Sequence, residues 1–241
     1  MHSNRYTLMY ATAISVLTAI ILAFFSESLK PAQQANVALD KQINILRSVR
    51  LVNADRKQVQ EIFQRRVRKL VVNNKGEELA GLDPDAIVLK DEVNKPAAER
   101  RLPLYIYTGE DGRKYYIIPT YGVGLWGPIW GYIALEDDFN TVYGATFDHK
   151  GETPGLGAEI AEAEFQEQFR GKKIMSESNT FVSVRVVKPT EKTDFSEEHR
   201  VDGISGGTIT SRGTDAMLKN CIEPYLAYFE KQKQSLPSSG K

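Results

Sequence analysis

The chain has 241 residues, 41% of them hydrophobic and 26% charged, with Lys+Arg and Asp+Glu balanced at 31 each. This is a globular composition, and zero formal charge argues against a general nucleic-acid binder, which needs surplus Lys and Arg to neutralise phosphates. The single cysteine, Cys221, excludes an intramolecular disulfide and a cysteine-rich metal site.

The first element is "YTLMYATAISVLTAIILAFF", Tyr6 to Phe25, which carries no charge. About 20 apolar residues is the length a helix needs to cross the hydrocarbon core. Arg5 precedes it, and Glu27 follows before Lys30, so the nearest positive charge places the N-terminus in the cytoplasm. A cleaved signal peptide fits less well, because the apolar run is long and an A-x-A cleavage site is missing. Thr7, Thr12, Ser15 and Thr18 are expected to bond within the helix or to neighbouring helices; one helix cannot form an ion path alone.

After Pro31, Leu39, Ile43 and Leu46 recur at helical spacing. "ADRKQVQEIFQRRVRKLVV" continues in the same style, with Asp55 as cap and Val59, Ile62 and Phe63 on one face. The pair predicts a helical stalk. Its basic run, "RRVRK" at 65–69, is either a lipid-headgroup patch or a solvated face, and the second is favoured.

From 76 to 148 short β-branched and aromatic runs alternate with turns: 104–107, 114–119, 131–135 and 141–147. Glu110-Asp111-Gly112 is a hairpin turn. A further strand is expected at 180–187, and helix at 158–169 and from about 209. There Met217, Leu218, Cys221, Ile222, Tyr225 and Phe229 form an apolar stripe, which Pro224 breaks or restarts. The fold class is α+β, an antiparallel sheet with flanking helices tethered by one N-terminal transmembrane helix. The expected organisation is a cytoplasmic N-terminus (1–5), the membrane helix (6–25), the stalk (26–75), an extracytoplasmic domain (76–234) and a mobile tail (235–241).

Three motifs compete. "GVGLWG", 122–127, fits G-x-G-x-x-G, but Pro128 and another strand follow where a dinucleotide fold needs a helix. It is either a tight loop between strands or a wall that lies against an aromatic ring. "GISGG", 203–207, fits the G-x-S-x-G nucleophile elbow around Ser205. No histidine follows His199, and nothing points to His149 or His199 as its base; the charged "EEHRV" before it also does not resemble a buried parallel strand. The third reading is a phosphate seat: Gly203, Gly206 and Gly207 allow close approach, and Thr208, Thr210 and Ser211 open a helix whose free amides favour an anion. An ordinary turn with an N-cap has the same pattern.

"DGISGGT" resembles the flavinylation motif D-x-x-[ST]-G-[AS]-T, matched by Asp202, Ser205, Gly206 and Thr208. Gly207 departs from the usual alanine, a swap expected to add slack without blocking the site. "GRKYYIIPTYGVGLWGPIWGYIALE" and "GETPGLGAEI…FRGKKI" are similar, in the same order, to the C subunit of the sodium-translocating NADH:quinone oxidoreductase. The G subunit of the Rnf-type ferredoxin:NAD oxidoreductase shares two of these motifs and is the nearest alternative. A membrane-anchored assembly module whose turn binds nothing is the alternative of another class.

The resemblance implies FMN carried through a phosphoester on Thr208, attached by a flavin transferase that takes it from FAD. It implies single-electron transfer within a bacterial inner-membrane complex of six subunits. That complex couples NADH oxidation and quinone reduction to sodium export, with the soluble domain of this chain outside the cytoplasm. The chain is not expected to be active alone. Membrane lipid is a further partner, no nucleic acid is expected, and no metal or catalytic side chain is implied. Asp202 takes part in the modification or simply forms the turn. Around the flavin, the expected contacts are Gly124, Leu125 and Trp126 on one wall, and Thr153, Pro154, Gly155, Leu156 and Gly157 on the other. Ser205, Gly206, Gly207 and Thr210 complete the seat. Core packing is the plain alternative for Leu125 and Trp126.

Overall fold

The computed structural model describes residues 4–51, 55–189 and 191–235. The chain divides into two compact units, Met1–Gln42 and Ile43–Lys241. Helix α1, Asn4–Ser48, is continuous and carries Pro31 inside it. It is long and apolar enough to cross a membrane, with a mean hydropathy of 2.2 over its most apolar window. Thr18 Oγ1 donates back to the carbonyl of Ile14 at 2.8 Å, so this hydroxyl is satisfied within the helix.

In the second unit, Ile45, Leu46 and Val49 are buried, and Thr146 Oγ1 donates to the carbonyl of Asn44. Helix α2, Arg56–Arg66, starts at the expected cap: Asp55 accepts from the amides of Lys57 and Gln58 in a capping box. Val59 and Phe63 are its buried face.

The stalk reading fails after Arg66. Residues 67–72, expected to be helical, form strand β1 (Val67–Val72). The reason is tertiary: β1 pairs antiparallel with β2 (Leu102–Thr108), which buries Leu70, Val71 and Val72. β-Branched valines suit a pleated surface better than a further helical turn. The basic run is neutralised locally by the pairs Arg65–Glu61, Arg66–Glu110, Arg68–Glu78 and Lys69–Asp85, which favours the solvated face over a lipid patch.

After a short helix α3 (Leu89–Val93), β2, β3 (Lys114–Val123), β4 (Pro128–Leu135) and β5 (Val142–His149) complete a five-stranded antiparallel meander in the order β1-β2-β3-β4-β5. Gly112, at φ +81°, turns the β2–β3 hairpin where the sequence places it. Side chains alternate between the faces of the sheet. Leu104, Ile106, Tyr116, Ile118, Ile133 and Phe147 join a single core with the C-terminal helices, and Tyr105 on the opposite face meets Phe63 of α2.

The segment expected to be helical at 158–169 is a 3₁₀ turn, Gly157–Ala161, followed by one turn of α-helix, α4 (Ala163–Glu167). The strand expected at 180–187 shortens to β6 (Arg185–Val187). It pairs parallel with β7 (Arg200–Asp202), so a three-residue parallel strand does precede the glycine turn despite its charged sequence. Helices α5 (Thr208–Ile222) and α6 (Leu226–Ser235) flank a 3₁₀ turn at Pro224, which restarts the helix as expected. All six stripe residues are buried. Burial pushes the Cys221 thiol up to about 11, so this cysteine is a packing group. Ser235 ends α6, and the rest of the expected tail lies outside the described residues.

Candidate functional site

The site forms where three loops meet. The first is the β3–β4 connection, closed by a bond from the Gly124 amide to the Gly127 carbonyl at 2.8 Å. It is a tight loop between strands, and helix α5 lies against it: a Cβ on Gly213 would strike the Val123 carbonyl oxygen. The second loop follows β5. There the amides of Leu156 and Ala158 donate to the Thr153 carbonyl, and Gly155 sits at φ +74°. The third is the turn 203–207 that starts α5. Gly206 adopts φ +75°, a conformation that favours glycine, and a Cβ there would lie 2.6 Å from Leu156 Cδ2.

Together they enclose a hollow of about 330 Å³ lined by Leu125, Trp126, Glu152, Thr153, Leu156, Gly157, Gly206, Gly207, Thr208, Ile209 and Thr210. Thr208 is the first residue of α5, and Gly207 at the N-cap offers no side chain to the helix end. The first amides of a helix have no intrahelical acceptor and face outward with the positive end of the dipole. Leu125, Trp126, Leu156 and Ile209 are 49%, 69%, 41% and 55% exposed, so they are not core residues. Outside the first unit, the described exposed large apolar side chains are these four with Val123, Leu82 and Val88. All but the last two belong to the segments that build this hollow. Contiguous apolar exposure of that kind marks a surface meant to be covered.

Nine of the anticipated contacts therefore meet in one place: Leu125, Trp126, Thr153, Leu156, Gly157, Gly206, Gly207, Thr208 and Thr210. Gly124 stands behind them, against Glu152. Pro154 is exposed and does not line the hollow. Gly155, Asp202 and Ser205 instead line a separate depression of about 450 Å³ with Glu159, Glu162, Glu164 and Gln168. The flavinylation-like motif thus straddles the turn, with Gly206, Gly207 and Thr208 on the apolar side and Asp202 and Ser205 on the acidic one.

The slack expected at Gly207 is absent. A Cβ on Gly207 would lie 3.0 Å from Ile204 Cγ2 and 3.3 Å from the Leu156 carbonyl carbon, so Ile204 already occupies the room of the missing methyl. Ser211 holds this turn, its hydroxyl accepting from the Ile204 amide at 2.9 Å. The nucleophile-elbow reading finds no base, since the depression that Ser205 lines holds no histidine. His199 Nδ1 bonds the Lys173 carbonyl, and His149 Nδ1 accepts from the Glu152 amide.

Two lining residues escaped the sequence reading, Glu152 and Ile209. Glu152 is 5% exposed and accepts from the Trp126 amide at 2.8 Å and the Thr210 hydroxyl at 2.7 Å. Its signal was its place inside "GETPGLG", the segment already assigned to a flavin wall.

The FMN-binding domain family matches residues 124–223, a span that contains all three loops. The chain is 34% identical over 245 residues to the C subunit of the Na(+)-translocating NADH-quinone reductase of Haemophilus ducreyi, covering 93% of each. It is 31% identical over 248 residues to that of Neisseria meningitidis, covering 95% of this chain and 94% of the relative.

The chain belongs to the family of C subunits, NqrC, of the Na(+)-translocating NADH-quinone reductases.

Among solved structures, the NqrC protein from Parabacteroides distasonis superposes with a TM-score of 0.74 at 42% identity, covering 83% of this chain and 96% of the other. NqrC from Shewanella oneidensis gives 0.68 at 25% identity, covering 81% and 97%. Membership carries the α+β domain with it, and the function that fits a member of this family can be asked of this hollow.

Proposed function

We propose that this chain is the covalently flavinylated electron-transfer subunit of a sodium-translocating NADH:quinone oxidoreductase, with FMN esterified through its phosphate to Thr208. The observation that carries the reading is Thr208 itself, a hydroxyl in the first turn of α5 at the rim of a hollow walled by exposed apolar side chains. Bound flavin supplies an acceptor and donor of single electrons. The protein's own residues do the rest. The α5 amides and dipole neutralise the phosphoester. Gly206 and Gly207 let Leu156 and Ile204 pack close against the turn that presents Thr208, since a Cβ at either glycine would meet one of them. Leu125, Trp126, Leu156 and Ile209 cover an aromatic ring, while their exposure keeps one side open for exchange with redox partners.

Asp202 and Ser205 face the acidic depression, so their part belongs to attachment rather than to holding the ring. The attaching enzyme is a flavin transferase that uses FAD. The membrane helix, the Arg5 and Glu27–Lys30 flanks and the charge rule support a single pass with the N-terminus in the cytoplasm. The FMN domain then lies outside the cytoplasm of the bacterial inner membrane, within a complex of six subunits that couples quinone reduction to sodium export.

Mass spectrometry of the tryptic peptide Val201–Arg212 tests this. Protein made in its native host gains the mass of FMN less water on Thr208. Thr208→Ala reduces the ultraviolet fluorescence of the denatured band to background. An unmodified peptide from the native host overturns the assignment, as does fluorescence that survives the substitution.

A further inference from the structure

Glu152 is a buried carboxylate set directly behind the hollow, and three segments converge on it. Its Oε1 accepts from the Trp126 amide, 26 residues away, and its Oε2 from the Thr210 hydroxyl, 58 residues away. A donor reaches each oxygen, so neither is left unsatisfied in the interior. Its own amide donates to His149 Nδ1 at 3.0 Å, which fixes the backbone from which the side chain projects. Room for the carboxylate is built in. A Cβ on Gly124 would stand 2.6 Å from Oε1, and one on Gly157 would strike Oε2 and the Thr210 hydroxyl. The carboxylate therefore lies between two glycines from two different loops, and a side chain at either would displace it.

We propose that Glu152 is a positioning residue. It straps the Trp126 loop to the first turn of α5, so that the indole is held as a wall over a ring carried by Thr208, and its charge opposes the arrival of an electron beside it. This rests on the flavin reading above. The strap explains why Trp126, 69% exposed, nevertheless has its backbone fixed by a charge-assisted bond. It also explains how a carboxylate persists near a phosphoester: the hydroxyl and amide donors absorb part of its charge. The remainder raises the energy of any added negative charge nearby.

The experiment uses the full chain from its native host in a Trp130→Phe background, so that Trp126 is the one indole. The mass of the Thr208 peptide is measured first. A wild-type peptide without FMN removes the flavin reading, and this inference with it. With FMN present, Glu152→Gln places an amide where two donors converge. The expected result is retained flavin, a midpoint potential shifted upward, and weaker quenching of Trp126 by the flavin. Thr210→Val leaves the charge and removes one bond. It is expected to weaken quenching with a smaller shift in potential, and Thr210→Ser restores both. Unchanged potential and unchanged quenching in flavin-loaded Glu152→Gln overturn the proposal. If that variant carries no flavin, unchanged quenching in Thr210→Val overturns it instead.

Discussion

Two buried carboxylates, Glu92 and Glu152, solve the same problem in opposite ways. Glu92 is 1% exposed and meets cations: Lys95 at 2.8 Å and Arg101 at 2.7 Å, with the Arg101 amide at 2.9 Å on its second oxygen. Glu152 is 5% exposed, and its described partners are neutral donors, the Trp126 amide and the Thr210 hydroxyl. A cation beside a buried acid cancels its field, so Glu92 acts as a staple between α3 and the start of β2. Neutral donors orient a charge without cancelling it. A charge left standing next to a hollow acts on whatever fills that hollow. On the role proposed for Glu152, the difference separates an acid that serves the fold from one that serves a ligand.

The largest expected effect lies at the staple. Glu92→Ala leaves Lys95 and Arg101 without their acid, and breaking a buried pair costs about 3–5 kcal/mol. Both cations are partly exposed and regain water, so the loss here is about 2–3 kcal/mol, read by urea unfolding at pH 7. Burial alone would raise the pKa of Glu92, but its bonds to the Arg101 amide and to the Lys95 and Arg101 side chains outweigh it, and the net shift is downward. A lowered folded pKa gives stability that is present above the unfolded value of about 4.3 and is lost as pH falls through the folded one. The gap between wild type and Glu92→Ala therefore narrows in acid. A gap that stays constant from pH 7 to pH 3 would show that the charge of Glu92 is not what stabilises.

Gly157→Ala attacks the other acid through its seat. The new methyl collides with Glu152 and Thr210, and overpacking of this kind costs about 1–3 kcal/mol. Unlike the Glu92 change, it also disturbs the quenching of Trp126 by bound flavin. Normal quenching together with normal stability would mean that the seat is soft and the comparison is wrong.

The smallest effect sharpens the comparison at the same hollow without touching either acid. Gly207→Ala presses on Ile204 at a contact of 3.0 Å and costs about 1 kcal/mol, the low end for overpacking. Ile204→Val is expected to relieve it. Because Glu152 is not involved, the flavin potential moves less than in Glu152→Gln, and an equal or larger shift would transfer the electrostatic role from Glu152 to the turn.

Much of the molecule was legible from local patterns. The apolar run of 6–25, the Asp55 cap, the Gly112 hairpin and the stripe of α5 each depend on residues within a few positions of one another. Such signals survive in a sequence because backbone geometry repeats over one turn or one pleat. The resemblance at 202–208 brought attention to Thr208, and glycine spacing pointed to loops that come close to something.

What only the tertiary structure decided has longer range. "VRKLVV" suits helix or strand, and pairing with β2 made it β1. A three-residue parallel strand arose at charged Arg200–Asp202 because β6 lay alongside it. The turn divided its own motif, sending Thr208 to the apolar hollow and Asp202 to the acidic depression. Glu152 drew no assignment from the sequence, and its place became visible only through partners at distant positions. A sequence reports the preferences of neighbours. Burial, and the hydrogen bonds that make it tolerable for a charge, exist only once remote segments share the same few ångströms.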